Sequence, residues 1–335
     1  MELEPGIWNS HGCPLRRTPR RWGAWNGACG AEERGGRGRT VSQRTDRRGI
    51  PEGTEQRTMA QGGTRAGADA APGIGVRWTV GDVSPIGFEL LRLSIWGAWR
   101  LFGSHAKYAV CVNTVSLDHA RALAGELPPG VVWNDVTGAI PPFIAPHLDS
   151  GMAEGVGWKL AAPRIFPDRH ELALDNDCIL WALPTALRNW LTLDDACLVA
   201  ADVVPCFGQF TTLCGSEPRN TGVRGLPPSY DFVGALARAL ERMPVTLRSE
   251  TDEQGLQLTA LGEASQLLVI SADEVSICSP IPPRQRTLGT CGAHFVGLNC
   301  TSLPWRMNGR SIVEDIREHW LTVREDVYAR VGMAA

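Results

Sequence analysis

The sequence predicts an α/β fold with a mostly parallel central sheet and helices on both faces. Short runs rich in β-branched and aromatic residues alternate with longer stretches of helical period, and this alternation is typical of parallel α/β sheets. Turn residues such as Gly103 and Pro128-Pro129-Gly130 separate the runs. The first predicted elements are strand Val76–Val80, helix Phe88–Phe102, strand Tyr108–Val115, helix Leu117–Leu127 with Ser116 as its N-cap, and strand Val131–Trp133.

The second half of the chain continues the alternation. The predicted elements are a helix over 155–166, an acidic strand ending at Asp175–Asp177, a helix from Pro184 to Leu193, a strand over 197–204, a helix over 230–242, strands near 245–248, 266–278 and 293–298, and an amphipathic helix over 311–331. Ser311 and Glu314 have the spacing of a capping box at the start of this last helix. The long loops 134–153 and 205–219 are expected to border a site, because binding residues concentrate on such loops.

The composition excludes several classes of protein. A hydrophobic share of 43% and a charged share of 21% indicate a globular core, and the net charge of −3 argues against a general nucleic-acid binder or anionic-membrane binder. No segment has the roughly 18 uninterrupted apolar residues of a membrane span. The cysteines form no Cys-x-x-Cys pair, so neither a disulfide framework nor a zinc site is expected. A reducing cytoplasm is the expected location.

Three segments of different character are predicted. Residues 1–75 contain 12 arginines and 15 of the 37 glycines, without a sustained apolar period, so we expect a disordered extension. This extension is either a basic nucleic-acid arm or, as we prefer, an appendage or over-long start with initiation nearer Met59. Residues 76–310 are expected to form the globular domain, and the helix over 311–332 is expected to pack on it.

Two acidic residues follow a buried run in the stretch His170–Leu180. Asp175 and Asp177 are separated by Asn176, and residues i and i+2 of a strand point to the same side. Two carboxylates at the end of a strand suit a Mg²⁺ or Mn²⁺ ion that keeps positions open for phosphate oxygens. An Asp-x-Asp pair alone is also compatible with solvated loop acids or helix caps.

Four further signals surround the acidic pair. Lys159 is one of only two lysines in a chain that otherwise uses arginine. Asn220-Thr221-Gly222-Val223 favours a tight turn, and Glu253-Gln254 presents a carboxylate and an amide. His294 ends a predicted strand, and Gly297 follows it where backbone approaches closely. Taken singly, each also has a structural explanation: a surface lysine, an ordinary loop, a helix cap and a hydrogen-bonded core histidine.

In this order, the motifs resemble the GT-A glycosyltransferases, specifically the glycogenin and lipopolysaccharide-galactosyltransferase family. The resemblance covers about residues 76–310. The segments that carry it are Lys159, Leu174-Asp175-Asn176-Asp177, Asn220-Thr221-Gly222-Val223, Glu253-Gln254-Gly255-Leu256 and His294-Phe295-Val296-Gly297 with Pro304-Trp305.

The resemblance implies a GT-A nucleotide-sugar fold, a nucleotide-diphospho-sugar donor and transfer with retention of anomeric configuration. It implies that Mn²⁺ or Mg²⁺ is bound by Asp175, Asp177 and His294. The acceptor, whether a glycan, a lipid-linked sugar, a protein or a small molecule, is not specified. The other roles it implies are the donor-binding positions Gly81, Asp82, Lys159, Asn176 and Gly297, and the sugar- and acceptor-facing positions Asn220, Glu253 and Gln254.

The sequence also departs from the family pattern. Leu303 stands where the family usually places a phosphate-binding lysine, and Arg306 or Arg310 is the candidate replacement. Glu253 replaces the commoner aspartate. A catalytically inactive sugar-nucleotide-binding protein of the same fold is therefore the main alternative. A Mg²⁺-dependent phosphohydrolase with Asp175 as nucleophile is weaker, because no lysine follows Lys159.

Overall fold

A seven-stranded sheet is the centre of the molecule. The computed structural model describes residues 73–149, 157–299, 306–307 and 310–335. Nearly all of the predicted extension 1–75, as well as Leu303 and the Pro304-Trp305 motif, therefore lies outside the described residues. The strands are β1 (Ile74–Val80), β2 (Lys107–Val112), β3 (Val131–Asp135), β4 (His170–Asp175), β5 (Cys178–Leu180), β6 (Ala196–Ala201), β7 (Arg219–Leu226), β8 (Gln266–Ile270), β9 (Val275–Ile277), β10 (Gly292–His294), β11 (Arg306–Met307) and β12 (Arg310–Ser311).

The large sheet is mostly parallel. Its strand order is β3-β2-β1-β4-β7-β6-β8. The pairs β1–β2, β2–β3, β1–β4 and β6–β8 are parallel, whereas β7 runs antiparallel to both of its neighbours. Because β1 and β4 are parallel neighbours with Thr79 beside Asp175, their carboxyl ends meet at one edge of the sheet. Ligands of open α/β sheets bind at such an edge.

Helices cover both faces of the sheet. Successive residues of β6 show this directly, since Leu198 belongs to one apolar cluster and Cys197 and Val199 to another. The expected fold class, α/β with a mostly parallel sheet, is confirmed. The described helices are α1 (Pro85–Phe102), α2 (Leu117–Ala124), α3 (Thr185–Trp190), α4 (Thr211–Cys214), α5 (Phe232–Arg242), α6 (Glu250–Leu261) and α7 (Ile312–Val331).

Several predicted boundaries are corrected by the structure. The helix predicted over 155–166 is wrong in its described part, which holds only a 3₁₀ turn, Trp158–Leu160. Ala162 has a φ of 48°, and Pro163 follows it, so a helix cannot continue there. The strand predicted near 245–248 is reduced to one bridge between Leu148 and Leu247. The predicted strand over 266–278 is two strands, β8 and β9.

The capping box predicted for the closing helix does not form. Ser311 is the N-cap residue of α7, but its side chain makes no capping hydrogen bond. The helix is positioned by its apolar face instead, where Ile316 and Trp320 share a cluster with Leu90 and Leu93 of α1. Packing of an amphipathic face generally stabilises a helix more than a single cap does.

A second, three-stranded sheet extends the structure beyond β4. Its order is β5-β10-β9, with β10 antiparallel to β5 and parallel to β9. His294 pairs with Cys178, and the Phe295 amide donates to the Asp177 carbonyl oxygen at 2.9 Å. This pairing brings a residue 117 positions downstream beside the acidic pair.

Helix α1 fixes the position of β5 through a close backbone contact. A Cβ atom on Gly97 would lie 2.2 Å from the Leu180 carbonyl oxygen. The Ser94 hydroxyl adds a hydrogen bond of 2.5 Å to the Cys178 carbonyl oxygen. The glycine therefore permits the approach on which the strand after Asp177 depends.

We expect Gly97→Ala to destabilise the protein by roughly 1–3 kcal/mol, because overpacking against backbone outweighs the better helix propensity of alanine. Gly262→Ala is the matched control, since its Cβ would meet no atom closer than 3.4 Å, and it should stay within about 0.5 kcal/mol. Urea denaturation measures both variants. Equal stability of the two variants would contradict the account.

Candidate functional site

Two carboxylates and one imidazole meet at the carboxyl edge of the sheet. The His294 Nε2 atom lies 3.2 Å from Asp177 Oδ1 and 3.6 Å from Asp175 Oδ2. All three side chains are buried, and one ligand atom from each lies within 4.8 Å of the others. The sequence prediction that these three residues converge agrees with this geometry.

The local chain path explains the convergence. Asp175 is the last residue of β4, and Asn176 and Asp177 form a turn into β5 rather than continuing the strand. Asp177 therefore does not face the same side as Asp175 through the alternation of side chains along one strand, as the sequence suggested. The pairing of β5 with β10 places it beside His294 instead.

The donor atoms of the cluster are suited to a divalent cation. Asp177 Oδ1 and His294 Nε2 are both buried and lie 3.2 Å apart, and neither atom has another hydrogen-bond partner among the described residues. Buried polar atoms that face only each other still have unused hydrogen-bonding capacity, which a bound ion would satisfy. Two carboxylate oxygens and an imidazole nitrogen are acceptable ligands for Mn²⁺ or Mg²⁺. The residues present fit a metal ion.

Electrostatics at the cluster favour positive charge. Burial lowers the pKa of His294, but the carboxylates of Asp177 and Asp175 outweigh burial and raise it above its usual value. The two carboxylates therefore stabilise positive charge at the position of the imidazole.

Lys159 is the cation that the structure places against this cluster. Its Nζ atom lies 2.8 Å from Asp175 Oδ2, although Lys159 is on a 3₁₀ turn and not on the helix expected from the sequence. Burial lowers the pKa of Lys159, but the carboxylates of Asp175 and Glu253 raise it more, so the ammonium stays charged. The predicted position of Lys159 near the acidic pair therefore agrees with the structure.

The segment Asn220–Val223 lies in a strand and not in the loop that the sequence suggested. It belongs to β7, and the register with β6 shifts there, between Val199 and Ala200. The Asn220 side-chain oxygen accepts from the Gly222 amide at 2.7 Å, so a local turn is built into the strand. This explains why the sequence carried a turn signal.

Gly222 makes room for the imidazole. A Cβ atom at this position would lie 2.4 Å from Cε1 and 2.7 Å from Nδ1 of His294. The sequence places Gly222 in a motif but does not indicate its role. The structure shows that its missing side chain sets the position of the imidazole ring.

Two predicted sugar- and acceptor-facing amides line the cleft but are committed to the fold. Asn220 Nδ2 donates to Asp202 Oδ2 at 2.8 Å. Gln254 Nε2 donates to the Cys206 carbonyl oxygen at 2.8 Å, and Gln254 Oε1 accepts from the Thr221 amide at 3.2 Å. Both side chains therefore connect neighbouring segments of the cleft wall by hydrogen bonds.

Asn176, expected to bind the donor, is not among the residues that line the cleft. It is buried, and its Nδ2 atom donates to Asn299 Oδ1 at 2.8 Å and to the Gly87 carbonyl oxygen at 3.0 Å. Asn299 in turn donates to Asp177 Oδ2 at 2.8 Å. The contacts of Asn176 are therefore those of a structural residue that orients the acidic turn.

Glu253 lies within the first turns of α6 and is buried. Its carboxylate accepts a hydrogen bond from Gln257. Burial is the largest cause of its raised pKa, about 7, and Asp175 raises it further while Lys159 and Arg224 lower it. The structure thus places Glu253 in the same charged group as the acidic pair.

The remaining predicted positions are at the edges of the site. Gly81 packs against the ring of Trp158, where a Cβ would lie 2.4 Å from the indole. Asp82 is exposed, and its amide donates to Thr114 Oγ1 at 3.3 Å. Gly297 has a φ of 88° in the turn after β10, a conformation that requires glycine.

Three charged residues of the cleft were not predicted from the sequence. Asp202, Glu250 and Arg284 line the cleft together with Lys159, Asp175 and His294. Asp202 follows an apolar strand, as Asp175 does, so that signal was present in the sequence. Glu250 reads as a first-turn helix acid, and Arg284 lies in a proline-rich loop that carries no signal.

Comparison with known proteins identifies no close relative. No protein-family model and no curated protein matches the chain. Solved structures similar to this chain include glycosyltransferases, the class named by the sequence resemblance. The galactosyltransferase LgtC, in complex with donor and acceptor sugar analogs, matches at 13% identity with a TM-score of 0.46 over 74% of this chain and 95% of LgtC.

Two further glycosyltransferase structures are similar to a lesser degree. The bifunctional glycosyltransferase WbbM matches at 14% identity and a TM-score of 0.42, over 78% of this chain and 52% of that one. Mouse xyloside xylosyltransferase 1 matches at 16% identity and a TM-score of 0.42, over 62% of this chain and 88% of that one. Because no TM-score reaches 0.5, a functional assignment depends on the geometry of the site.

Within the described residues, no helix has the length and apolar character needed to cross a membrane.

The contact between Gly222 and His294 leads to a test of the metal site. We expect Gly222→Ala to weaken Mn²⁺ binding by about 10-fold to 100-fold, because the added methyl displaces the imidazole, as changes behind metal ligands typically do. Titration calorimetry with Mn²⁺ measures the effect, with Gly262→Ala as the control. Wild-type affinity in Gly222→Ala would contradict the proposed role of the imidazole.

The raised pKa values of two glutamates predict a pH dependence of stability in the metal-free protein. Burial raises the pKa of Glu250 from 4.5 to about 8, and that of Glu253 to about 7. The folded state therefore binds more protons than the unfolded state between about pH 5 and 8, so stability falls as pH rises through that range. Glu250→Gln should reduce this slope.

Urea denaturation in EDTA at pH 5.5 and pH 8 provides the measurement. The advantage of Glu250→Gln over wild type should be larger at pH 8. The exposed Glu241→Gln serves as the control and should follow wild type at both pH values. Parallel pH curves for Glu250→Gln and wild type would contradict the prediction.

Proposed function

We propose that the protein is a metal-dependent glycosyltransferase of the GT-A type that moves a sugar from a nucleotide-diphosphate donor to an acceptor hydroxyl. The observation that carries the proposal is the convergence of Asp175, Asp177 and His294 at the carboxyl edge of a mostly parallel sheet. The burial of Asp177 Oδ1 and His294 Nε2, which face only each other, adds support, as does the ion pair of Lys159 with Asp175.

The proposal gives the cation three protein ligands. Asp175, Asp177 and His294 would bind Mn²⁺ or Mg²⁺, and Asn299 would orient Asp177 through its hydrogen bond to Oδ2. A bound divalent ion would neutralise charge on the departing nucleoside diphosphate. Gly222 and the β5–β10 pairing hold the imidazole in its place.

Two basic side chains supply charge for the donor phosphates in this proposal. Lys159 and Arg284 line the same cleft as Asp175 and His294. The family pattern has a phosphate-binding lysine where this chain has Leu303. In this proposal Arg284 supplies the missing positive charge. The earlier candidate Arg310 is unsuitable because it pairs with Glu318 and Asp315 at the start of α7, and the side chain of Arg306 is outside the described structure.

In the proposed reaction, the anomeric carbon of the sugar exchanges its bond to one oxygen atom for a bond to another. The bond to the donor phosphate oxygen breaks, and the bond to the acceptor oxygen forms. The acceptor proton passes to the departing phosphate oxygen, which gives a glycosylated acceptor and a nucleoside diphosphate. Retention of configuration follows if the acceptor attacks from the face of the leaving group. In this proposal Asn220 and Gln254, which line the cleft, would face the sugar together with the neighbouring Glu253.

A phosphohydrolase is less compatible with the geometry. Its nucleophile, Asp175, forms an ion pair with Lys159 and lies 3.6 Å from His294. Its acid–base residue, Asp177, has one oxygen bonded to Asn299. These contacts favour the role of metal ligand that the proposal gives to both acids. The catalytically inactive alternative is separated from the enzyme by the test of turnover.

Binding of nucleoside diphosphates tests the proposal first. Calorimetry with uridine and guanosine diphosphates should detect binding of one of them in Mn²⁺ and at least tenfold weaker binding in EDTA. Asp177→Asn should lose this metal dependence because it removes a ligand, whereas the exposed Asp194→Asn should keep it. Absence of metal-dependent binding in wild type would contradict the proposal.

Turnover is the second test. A panel of nucleotide sugars should release nucleoside diphosphate in the presence of Mn²⁺, and Asp177→Asn should reduce the rate by at least 100-fold. NMR of the product anomer tests retention. Binding without release or transfer from any donor would favour the inactive sugar-nucleotide-binding protein.

A further inference from the structure

Two arginines flank a small residue in the middle of the large sheet. Ala173 of β4 pairs with Arg77 of β1 on one side and with Arg224 of β7 on the other. Residues in register on neighbouring strands point to the same face, so the two arginine side chains leave the sheet on either side of the short alanine. Both arginines are buried, with 1% and 3% of their surface exposed. Two positive charges are therefore held close together inside the protein.

A small cavity lies between these arginines and beneath the cleft. Its lining includes Arg77, Arg224 and Thr221. Its volume is about 20 Å³, which is room for one particle of about the size of a water molecule. Lys159 and Asp175, which form an ion pair at 2.8 Å, line both the cavity and the cleft. The cavity thus adjoins the candidate metal site but has its own polar lining.

Three side chains around the cavity have unused hydrogen-bonding atoms. The Nε atoms of Arg77 and Arg224 and the hydroxyl oxygen of Thr221 are buried, and none of them has a partner among the described residues. The terminal nitrogens of both guanidinium groups already donate to other residues. An arginine Nε–H group can only donate, and a threonine hydroxyl can also donate. The cavity therefore suits a ligand that accepts hydrogen bonds.

The charges next to the cavity favour an anion. Glu171 lies 4.0 Å from Arg77 and offsets its charge. Arg224 donates to the neutral side chain of Gln257 and to a carbonyl oxygen, and it forms no ion pair within the described residues. Burial lowers the pKa of Arg224, and the charge of Arg77 lowers it further. Glu253 opposes this effect only in part, because its own raised pKa is about 7.

We propose that this cavity binds one small monovalent anion, such as chloride, between the Nε atoms of Arg77 and Arg224 and the hydroxyl of Thr221. An anion accepts all three hydrogen bonds and offsets the buried positive charge. A water molecule accepts hydrogen bonds too, but it leaves the charge uncompensated and needs acceptors for its own hydrogens. The size of the cavity excludes phosphate and sulfate. This site goes beyond the proposed function, because it requires neither the metal nor a sugar donor.

Bromide provides a direct test, because it resembles chloride and has a strong anomalous signal. A crystal of the wild-type protein soaked in sodium bromide should show an anomalous peak within hydrogen-bonding distance of the Nε atoms of Arg77 and Arg224. A cavity that contains only a water molecule, or bromide found only at the protein surface, would overturn the proposal.

Urea denaturation in EDTA measures the same binding in solution. At constant ionic strength, replacement of about 150 mM gluconate, which is too large for the cavity, by chloride should lower the equilibrium constant of unfolding about tenfold, because only the folded state contains the site. Thr221→Val removes one donor and keeps the shape of the side chain, and Arg77→Lys removes Nε and keeps the charge. In both variants the effect of chloride should fall below about threefold. The exposed Thr212→Val is the matched control and should keep the full effect.

These experiments are independent of the proposed function, because they contain no metal, donor or acceptor. Equal stability of wild type in chloride and in gluconate would contradict the proposal. A chloride effect that Thr221→Val and Arg77→Lys retain in full would also contradict it, because the anion would then bind elsewhere. If a variant does not fold, the bromide peak in wild-type crystals decides the question.

Discussion

The mutual repulsion of two buried carboxylates is the constraint on which the rest of the site depends. Asp175 and Asp177 both face the imidazole of His294, and one of them also contacts Lys159. Positive charge beside them offsets the repulsion between like charges placed this close in a buried position. Three features keep these groups together: the end of β4, the pairing of β5 with β10, and Gly222 of β7.

A buried layer of polar residues beneath the cleft supports this arrangement. Glu171 of β4 accepts from the amides of Ile165 and Phe166 at 2.6 Å and 2.5 Å, which ties the chain after Lys159 to the strand that carries Asp175. Arg224 of β7 donates to Gln257, the partner of Glu253. Burial lowers the pKa of Arg224 to about 10, so it remains charged at neutral pH. The positions of the cleft carboxyls thus depend on the sheet itself.

Local sequence patterns predicted most of the individual elements. The long-range approach of His294 to the acidic pair was predicted only from the order of the motifs along the chain. The strand ending at Asp175 and the N-cap at Ser116 follow from local pattern and were correctly placed. Strand β7 was not predicted, because Asn220 and Gly222 are typical turn residues. In the structure they lie within the strand, where its register with β6 shifts. Glu250 was missed because a first-turn acid is the common composition of a helix start, and only the tertiary structure shows that it faces the cleft.

The most direct test of the account is a crystal structure of the protein with Mn²⁺ and a nucleoside diphosphate, with anomalous scattering used to locate the ion. The account predicts one manganese peak within about 2.0–2.4 Å of a carboxylate oxygen of Asp175 and of Asp177 and of Nε2 of His294. A peak elsewhere, or an imidazole of His294 turned away from both carboxylates, would contradict it.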